Sequence, residues 1–243
     1  MNRSAVVVLS WVIAIAFALA TVLFLVDRLN LVATPPNIES ESMVEHVLGS
    51  VAYRQAIWPV FLWTNMLFAI GFAASVAFAW AVASAAGVGR GLPLFTALAT
   101  TGGITGTMAS IIPIGSVDAA VWVGYCDCGF RDTEIVSQVW AQMVSQDIGT
   151  WFNRFASLLL AIGLIMLVRE AGAVIPAMLR TWTYITAIAL IVSPVLGIVQ
   201  KTDPVAEELI TLITGLVLVP VWAVWLARTV APGPSIPAAP EPA

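Results

Sequence analysis

Six stretches of mostly apolar residues recur along the chain, near 5–26, 57–84, 92–114, 151–168, 174–199 and 205–227. An α-helix rises 1.5 Å per residue, so about 20 such residues cross the ~30 Å hydrocarbon core of a bilayer. Lipid supplies no partner for a backbone N–H or C=O, and each stretch must close its own hydrogen bonds as a helix. The expected fold class is therefore all-α, a polytopic membrane helical bundle of six transmembrane helices. Composition agrees: 60% of residues are apolar, 10% are charged, and the mean hydropathy is +0.97, against roughly 45–50% apolar and 25% charged in soluble domains. Six spans with their loops make residues 1–230 one transmembrane domain. The remaining stretch, APGPSIPAAPEPA at 231–243, has prolines that withhold backbone donors and small side chains that bury little, so a disordered tail is expected.

The first run follows Arg3 and contains Ala18-Leu19-Ala20, which resembles a signal-peptide cleavage site. It is longer than a signal core of about 7–15 residues, and Trp11 and Phe17 suit a helix that stays, so retention is expected. With the N-terminus inside, Arg3, Arg90, Arg169, Arg180 and Arg228 fall on the cytoplasmic side, and Arg28, Arg54, Arg131, Arg154 and Lys201 on the other. The basic residues tie, but the inner segments are shorter and denser in charge, which favours both termini inside a cytoplasmic membrane. Most acids fall in the outer loops, so the net charge of −4 conceals an acidic outer face. That distribution argues against a nucleic-acid partner. Tryptophans suggest two interfacial belts, with Trp58, Trp63, Trp122, Trp140 and Trp151 outside and Trp11, Trp80, Trp182, Trp222 and Trp225 inside.

Two long outer loops carry helical apolar spacing, ESMVEHVLGSVAYRQ at 41–55 and TEIVSQVWAQMVSQD at 133–147. Each predicts an amphipathic outer-surface helix, lying flat on the membrane or capping the bundle. Similar phrases follow them, Trp63-Thr64-Asn65 and Trp151-Phe152-Asn153, which suggests three successive helical hairpins. Asp203-Pro204 before Glu207-Glu208 fits a capped helix start with acids near the positive end of the helix dipole. Neither glutamate has an Arg or His close to it in sequence that would make it catalytic, so both are read as structural.

The order of a long amphipathic outer loop, a Trp-bearing fourth span, a short basic inner turn, and Val174-Ile175-Pro176 leading through Arg180-Thr181-Trp182 into span five resembles a family of uncharacterised six-helix bacterial integral membrane proteins, a domain of unknown function. The resemblance covers most of the chain and implies the six-helix fold. It brings no site and no activity.

Side chains able to carry chemistry are sparse. His46 is the one histidine, so multi-histidine metal and paired-histidine haem ligation within one subunit are excluded. It reads as a solvated interfacial residue. Cys126 and Cys128 sit in an outer loop as free thiols, a strained local disulfide, or a link to another chain. The nearby acids Asp127, Asp132 and Glu134 are hard ligands mismatched to thiolates, and the outer acids match no calcium loop. No metal site and no cofactor is therefore expected. No Asp, Glu, Lys or Arg lies in the central part of a span, which removes the usual machinery of proton coupling. Arg154 is read as a snorkelling interfacial residue, or, with Asn65 and Asn153, as the polar mouth of a cavity.

The segment ATTGGITGTMAS at 99–110 is the oddest in the chain. On a helical wheel Thr96, Thr100, Gly103, Thr107 and Ser110 share one face, and Gly102 and Gly106 lie on the adjoining one. Gly102 and Gly106 have the GxxxG spacing that lets backbones approach closely in lipid. These residues predict a packing face, with a ligand-lined cavity as the alternative. Thr183, Thr186, Ser193 and Pro194 make span five a candidate neighbour.

Three function classes remain open. One is non-catalytic binding of a lipid, a hydrophobic small molecule or a membrane-protein partner, including a second copy. Another is a channel or facilitator for a small neutral solute along the Thr-rich face. The third is an interfacial lipid-directed enzyme using outer acids, which is weaker because no nucleophile and base can be paired convincingly.

Overall fold

The computed structural model describes residues 3–34, 43–85, 92–125, 132–173, 175–199 and 205–230. Its elements are α1 (Arg3–Arg28), α2 (Met43–Ala85), α3 (Pro93–Tyr125), α4 (Asp132–Ala171), α5 (Ala177–Val199), α6 (Val205–Ile213), a π-helical turn (Thr214–Leu218) and α7 (Val219–Val230). Among the described residues there is no strand. Six segments are long and apolar enough to cross a membrane: Ser4–Arg28, Gln55–Ala85, Pro93–Gly115, Asp147–Ala171, Ala177–Val199 and Ala206–Val230. The chain is a multi-pass membrane protein, and its spans fall where the apolar runs predict them. Cys126, Cys128, Lys201, Asp203 and the 231–243 tail lie outside the described residues, as does the side chain of His46.

The amphipathic segments are helical, but not as separate helices. Residues 43–55 run into span two within α2, 43 residues long, and residues 132–147 run into span four within α4, 40 residues long. Gly49 and Pro59 lie inside α2 without ending it. Continuous helix keeps i to i−4 bonds that a separate surface helix would forfeit at a break, apart from the one that Pro59, lacking an N–H, cannot give.

The spans form a ring in chain order. α1 packs on α2, α2 on α3, α3 on α4, α4 on α5, and α5 on α6 and α7, while α7 returns to α1 and closes the ring. Span five is therefore not the neighbour of span three that its hydroxyl residues suggested, since α4 stands between them. The ring is pinned by specific contacts. At the start of α3, the Glu170 carboxylate from the end of α4 accepts hydrogen bonds from the Leu94 and Phe95 amides at 3.2 Å each. A carboxylate there meets otherwise unpaired N–H groups and the positive end of the helix dipole.

Large apolar side chains point both ways. Ile13, Phe78, Phe95, Leu167, Leu179 and Leu226 are fully buried, whereas Ile15, Leu19, Ile104, Met108, Ile111 and Ile188 are exposed. In a bilayer that outer surface meets lipid chains as apolar as itself, so close packing rather than water exclusion must hold the helices together. Hydroxyls within the spans are satisfied locally: Ser10 donates to the Val7 carbonyl, and Thr64, Thr96 and Ser110 donate to carbonyls one turn back.

A central cavity as the candidate functional site

The sixth span loses its α-helical register midway. In the π-helical turn the Val219 amide donates to the Thr214 carbonyl five residues back. The Leu218 carbonyl at its end accepts the Trp182 indole N–H at 3.3 Å. A register change of this kind disturbs the regular side-chain stripe and is often found at functional sites. The turn presses Gly215 directly against Thr21 of α1, where any side chain at 215 would collide with the Thr21 Oγ1.

Beside this turn, inside the ring, lies a cavity of about 140 Å³ to which every span contributes. Aromatic rings dominate it: Phe17 from α1, Phe68, Phe72 and Phe78 from α2, Phe95 from α3 and Trp222 from α7. They brace one another edge to face, Phe17 against Phe72 at 5.2 Å and Phe78 against Trp222 at 5.9 Å between centroids. Edge-to-face packing sets a positive ring edge on a negative face and holds each ring at a fixed angle. Hydroxyls are interleaved among the rings: Thr21, Ser75, Ser157, Ser193, Thr211 and Thr214.

One end of the cavity is charged. Arg154, near the start of span four, meets Glu207, in the first turn of α6, through Nε and Nη2 at 3.2–3.4 Å. Both side chains are mostly buried, 17% and 22% exposed. The pair lies against Gly197 of α5, where a side chain would strike both partners. Trp151 sits beneath the guanidinium at 5.4 Å, within cation–π range. Ser193 and Thr211 hydrogen-bond at 2.9 Å, and Thr211 also donates to the Glu207 carbonyl. Beyond the cavity, Arg28 meets the neighbouring Glu208 at 3.2 Å.

Both glutamates read as lacking an arginine thus have one, supplied by α4 and by α1. Arg154 does not simply snorkel, because its guanidinium is spent on Glu207. The expected mouth is half assembled: Asn153 and Arg154 line the cavity, whereas Asn65 stands apart, with its amide on the Phe61 carbonyl at 2.9 Å. Trp222, placed in a membrane belt by sequence, is 7% exposed and lines the cavity, with its indole N–H on Thr183 at 3.2 Å.

Most of the small and hydroxyl residues expected to share one half of α3 lie at helix contacts. A Cβ on Gly103 would sit 2.5 Å from the Val76 side chain and 2.8 Å from the Phe72 carbonyl, and one on Gly106 would enter the Phe72 ring. Gly102 faces the other way, with Leu160 and the Ala156 carbonyl at 3.0 and 3.1 Å. Thr96 and Ser110 are buried, Thr107 bonds its own turn and reaches the Ala69 carbonyl at 3.5 Å, and Thr100 accepts the Trp80 indole N–H at 3.1 Å. Within α3 the cavity lining comes from Phe95 and Ala99 instead.

No protein-family model, curated protein or solved structure matches this chain. The family resemblance accordingly rests on the sequence phrases alone, and function must be argued from the cavity. Sequence reasoning missed Glu207, Thr21, Ser75 and Thr214 as lining residues. The available signal was the concentration of Phe and hydroxyl residues on α2 and the acidic start of span six.

Proposed function

We propose that the protein binds a small, mainly apolar molecule inside the six-span ring, without transforming it. The observation that carries this reading is a ring-walled cavity with one charged end, built from all six spans. Its volume of about 140 Å³ is close to that of an apolar cavity of roughly 150 Å³ that stays dry and takes up benzene. A whole phospholipid does not fit, and lipid is assigned to the outer surface, where Ile104, Met108 and Ile111 are exposed. In the cytoplasmic membrane with both termini inside, the Arg154–Glu207 end faces outward, so the ligand enters from that side. A partner membrane protein or second copy would dock on the outer helix faces.

Non-catalytic binding is favoured over chemistry because the cavity's two charged groups are engaged with each other, and among the described residues the lining hydroxyls donate to backbone carbonyls or to one another rather than to a base. It is favoured over passage because buried Phe78, Phe95 and Trp222 occupy the end opposite the ion pair.

A photoreactive toluene analogue in vesicles tests the reading. Saturable labelling should fall on peptides bearing Phe72, Phe78 and Leu160, with protection by excess toluene. Labelling confined to Ile104, Met108 and Ile111, unprotected by competitor, would contradict it.

A further inference from the structure

The cavity presents hydrogen-bond acceptors and almost no donors. Each lining hydroxyl has one proton and has already spent it. Thr21 donates to the Phe17 carbonyl at 2.7 Å, Ser75 to the Gly71 carbonyl at 2.8 Å, and Thr214 to the Ile210 carbonyl at 2.7 Å. At the charged end Ser157 donates to the Asn153 carbonyl. Thr211 donates to the Glu207 carbonyl, so Ser193 must be the donor in the bond between those two hydroxyls. A hydroxyl that has donated keeps lone pairs and can only accept.

Most of the remaining candidate donors are engaged elsewhere. The Trp222 indole N–H is committed to Thr183, and Arg154 aims Nε and Nη2 at Glu207, which leaves its Nη1 N–H groups as donors at the charged end only. Asn153 carries the remaining amide, exposed at the mouth rather than among the rings. The ring faces around the hydroxyls are themselves electron-rich and attract a polarised hydrogen. Arg154 and Glu207 cancel in charge, so the site does not select an ion.

Building on the binding role above, we infer that the cavity selects a neutral apolar molecule that donates a hydrogen bond, such as a small apolar alcohol, over an equally sized molecule that only accepts. Ser75 and Thr214 are the acceptors among the rings, while Gly215 closes off the Thr21 Oγ1. A carbonyl or ether in the same place would set its lone pairs against theirs and lose its bonds to water with nothing in return.

Three molecules of nearly one shape test this in the full-length protein in lipid discs, titrated by calorimetry. Benzyl alcohol donates, benzaldehyde only accepts, and toluene does neither. Benzyl alcohol is expected to bind about tenfold more tightly than benzaldehyde, the difference of about one hydrogen bond. Thr214→Val keeps the side-chain shape and should reduce that preference several-fold. Ser75→Ala is the second variant should Thr214→Val fail to fold. Benzaldehyde binding as tightly as benzyl alcohol would overturn the donor preference and leave the cavity's binding role standing. Saturable binding by none of the three would overturn both.

Discussion

α3 and the sixth span both break the apolar rule of a membrane helix, and with opposite results. α3 places Gly102, Gly103 and Gly106 against α4 and α2, so that neighbouring side chains and carbonyls fill the room a Cβ would take. Its hydroxyls turn back on their own helix or meet one indole. The sixth span instead changes register at Thr214–Leu218 and begins with a glutamate drawn into the ring by Arg154. Small residues in one helix remove space, while a register change and a buried charge pair in the other leave space open. Polar residues in a lipid-spanning segment therefore do not by themselves mark a site, and what matters is whether their groups are already used.

The largest effect should come from filling the α3 seam. Gly106→Leu drives a branched side chain into the Phe72 ring and should prevent recovery of folded protein. The gentler Gly103→Ala should cost roughly 1–3 kcal/mol by overpacking against Val76 and the Phe72 carbonyl. Gly115→Ala is the internal control: nothing lies near its added methyl, and it should stabilise by under about 1 kcal/mol through helix propensity. Thermal unfolding in detergent separates the three, and equal losses at Gly103 and Gly115 would break the account of the seam.

Next comes the ion pair. Glu207→Ala leaves the Arg154 guanidinium mostly buried without its partner. A loss of roughly 1–3 kcal/mol is expected, below the 3–5 kcal/mol of a fully buried pair. The double variant Arg154→Met with Glu207→Leu should recover most of it, and a double variant no better than the single one would show that the pair is not a unit. Glu208→Gln, whose partner Arg28 is about half exposed, should change stability by about 0–1 kcal/mol.

Smaller effects belong to single hydrogen bonds. Trp182→Phe removes the donor to the Leu218 carbonyl and should cost about 1 kcal/mol, with slowed amide exchange at the π-helical turn replaced by faster exchange. Thr100→Val should cost least, under about 1 kcal/mol, since it removes an exposed bond from Trp80.

These contrasts also mark what a sequence can disclose. The six spans were legible because backbone hydrogen bonding in lipid depends on length and apolarity, which any stretch displays by itself. The GxxxG at Gly102 and Gly106 was legible for the same reason, although the two glycines face different neighbours. The Arg154–Glu207 pair was not, because 53 positions separate its members and only ring closure brings them together. Trp222 resembled the belt tryptophans because a ring near a span end reads alike whether it turns outward or inward. Nothing in Thr214-Gly215-Leu216-Val217-Leu218 announces a π turn, and its contacts with Thr21 and Trp182 come from elements distant in sequence.

The most direct measurement fills the cavity from α5. Ala189 lines it from α5 and is only half-buried, so Ala189→Phe adds a ring to the space with little disturbance to the buried core. Toluene titrated into the wild-type protein in lipid discs should bind saturably, and the variant, folded with an unchanged unfolding midpoint, should lose most of that binding. Undiminished binding to the folded variant would contradict a ligand site inside the ring.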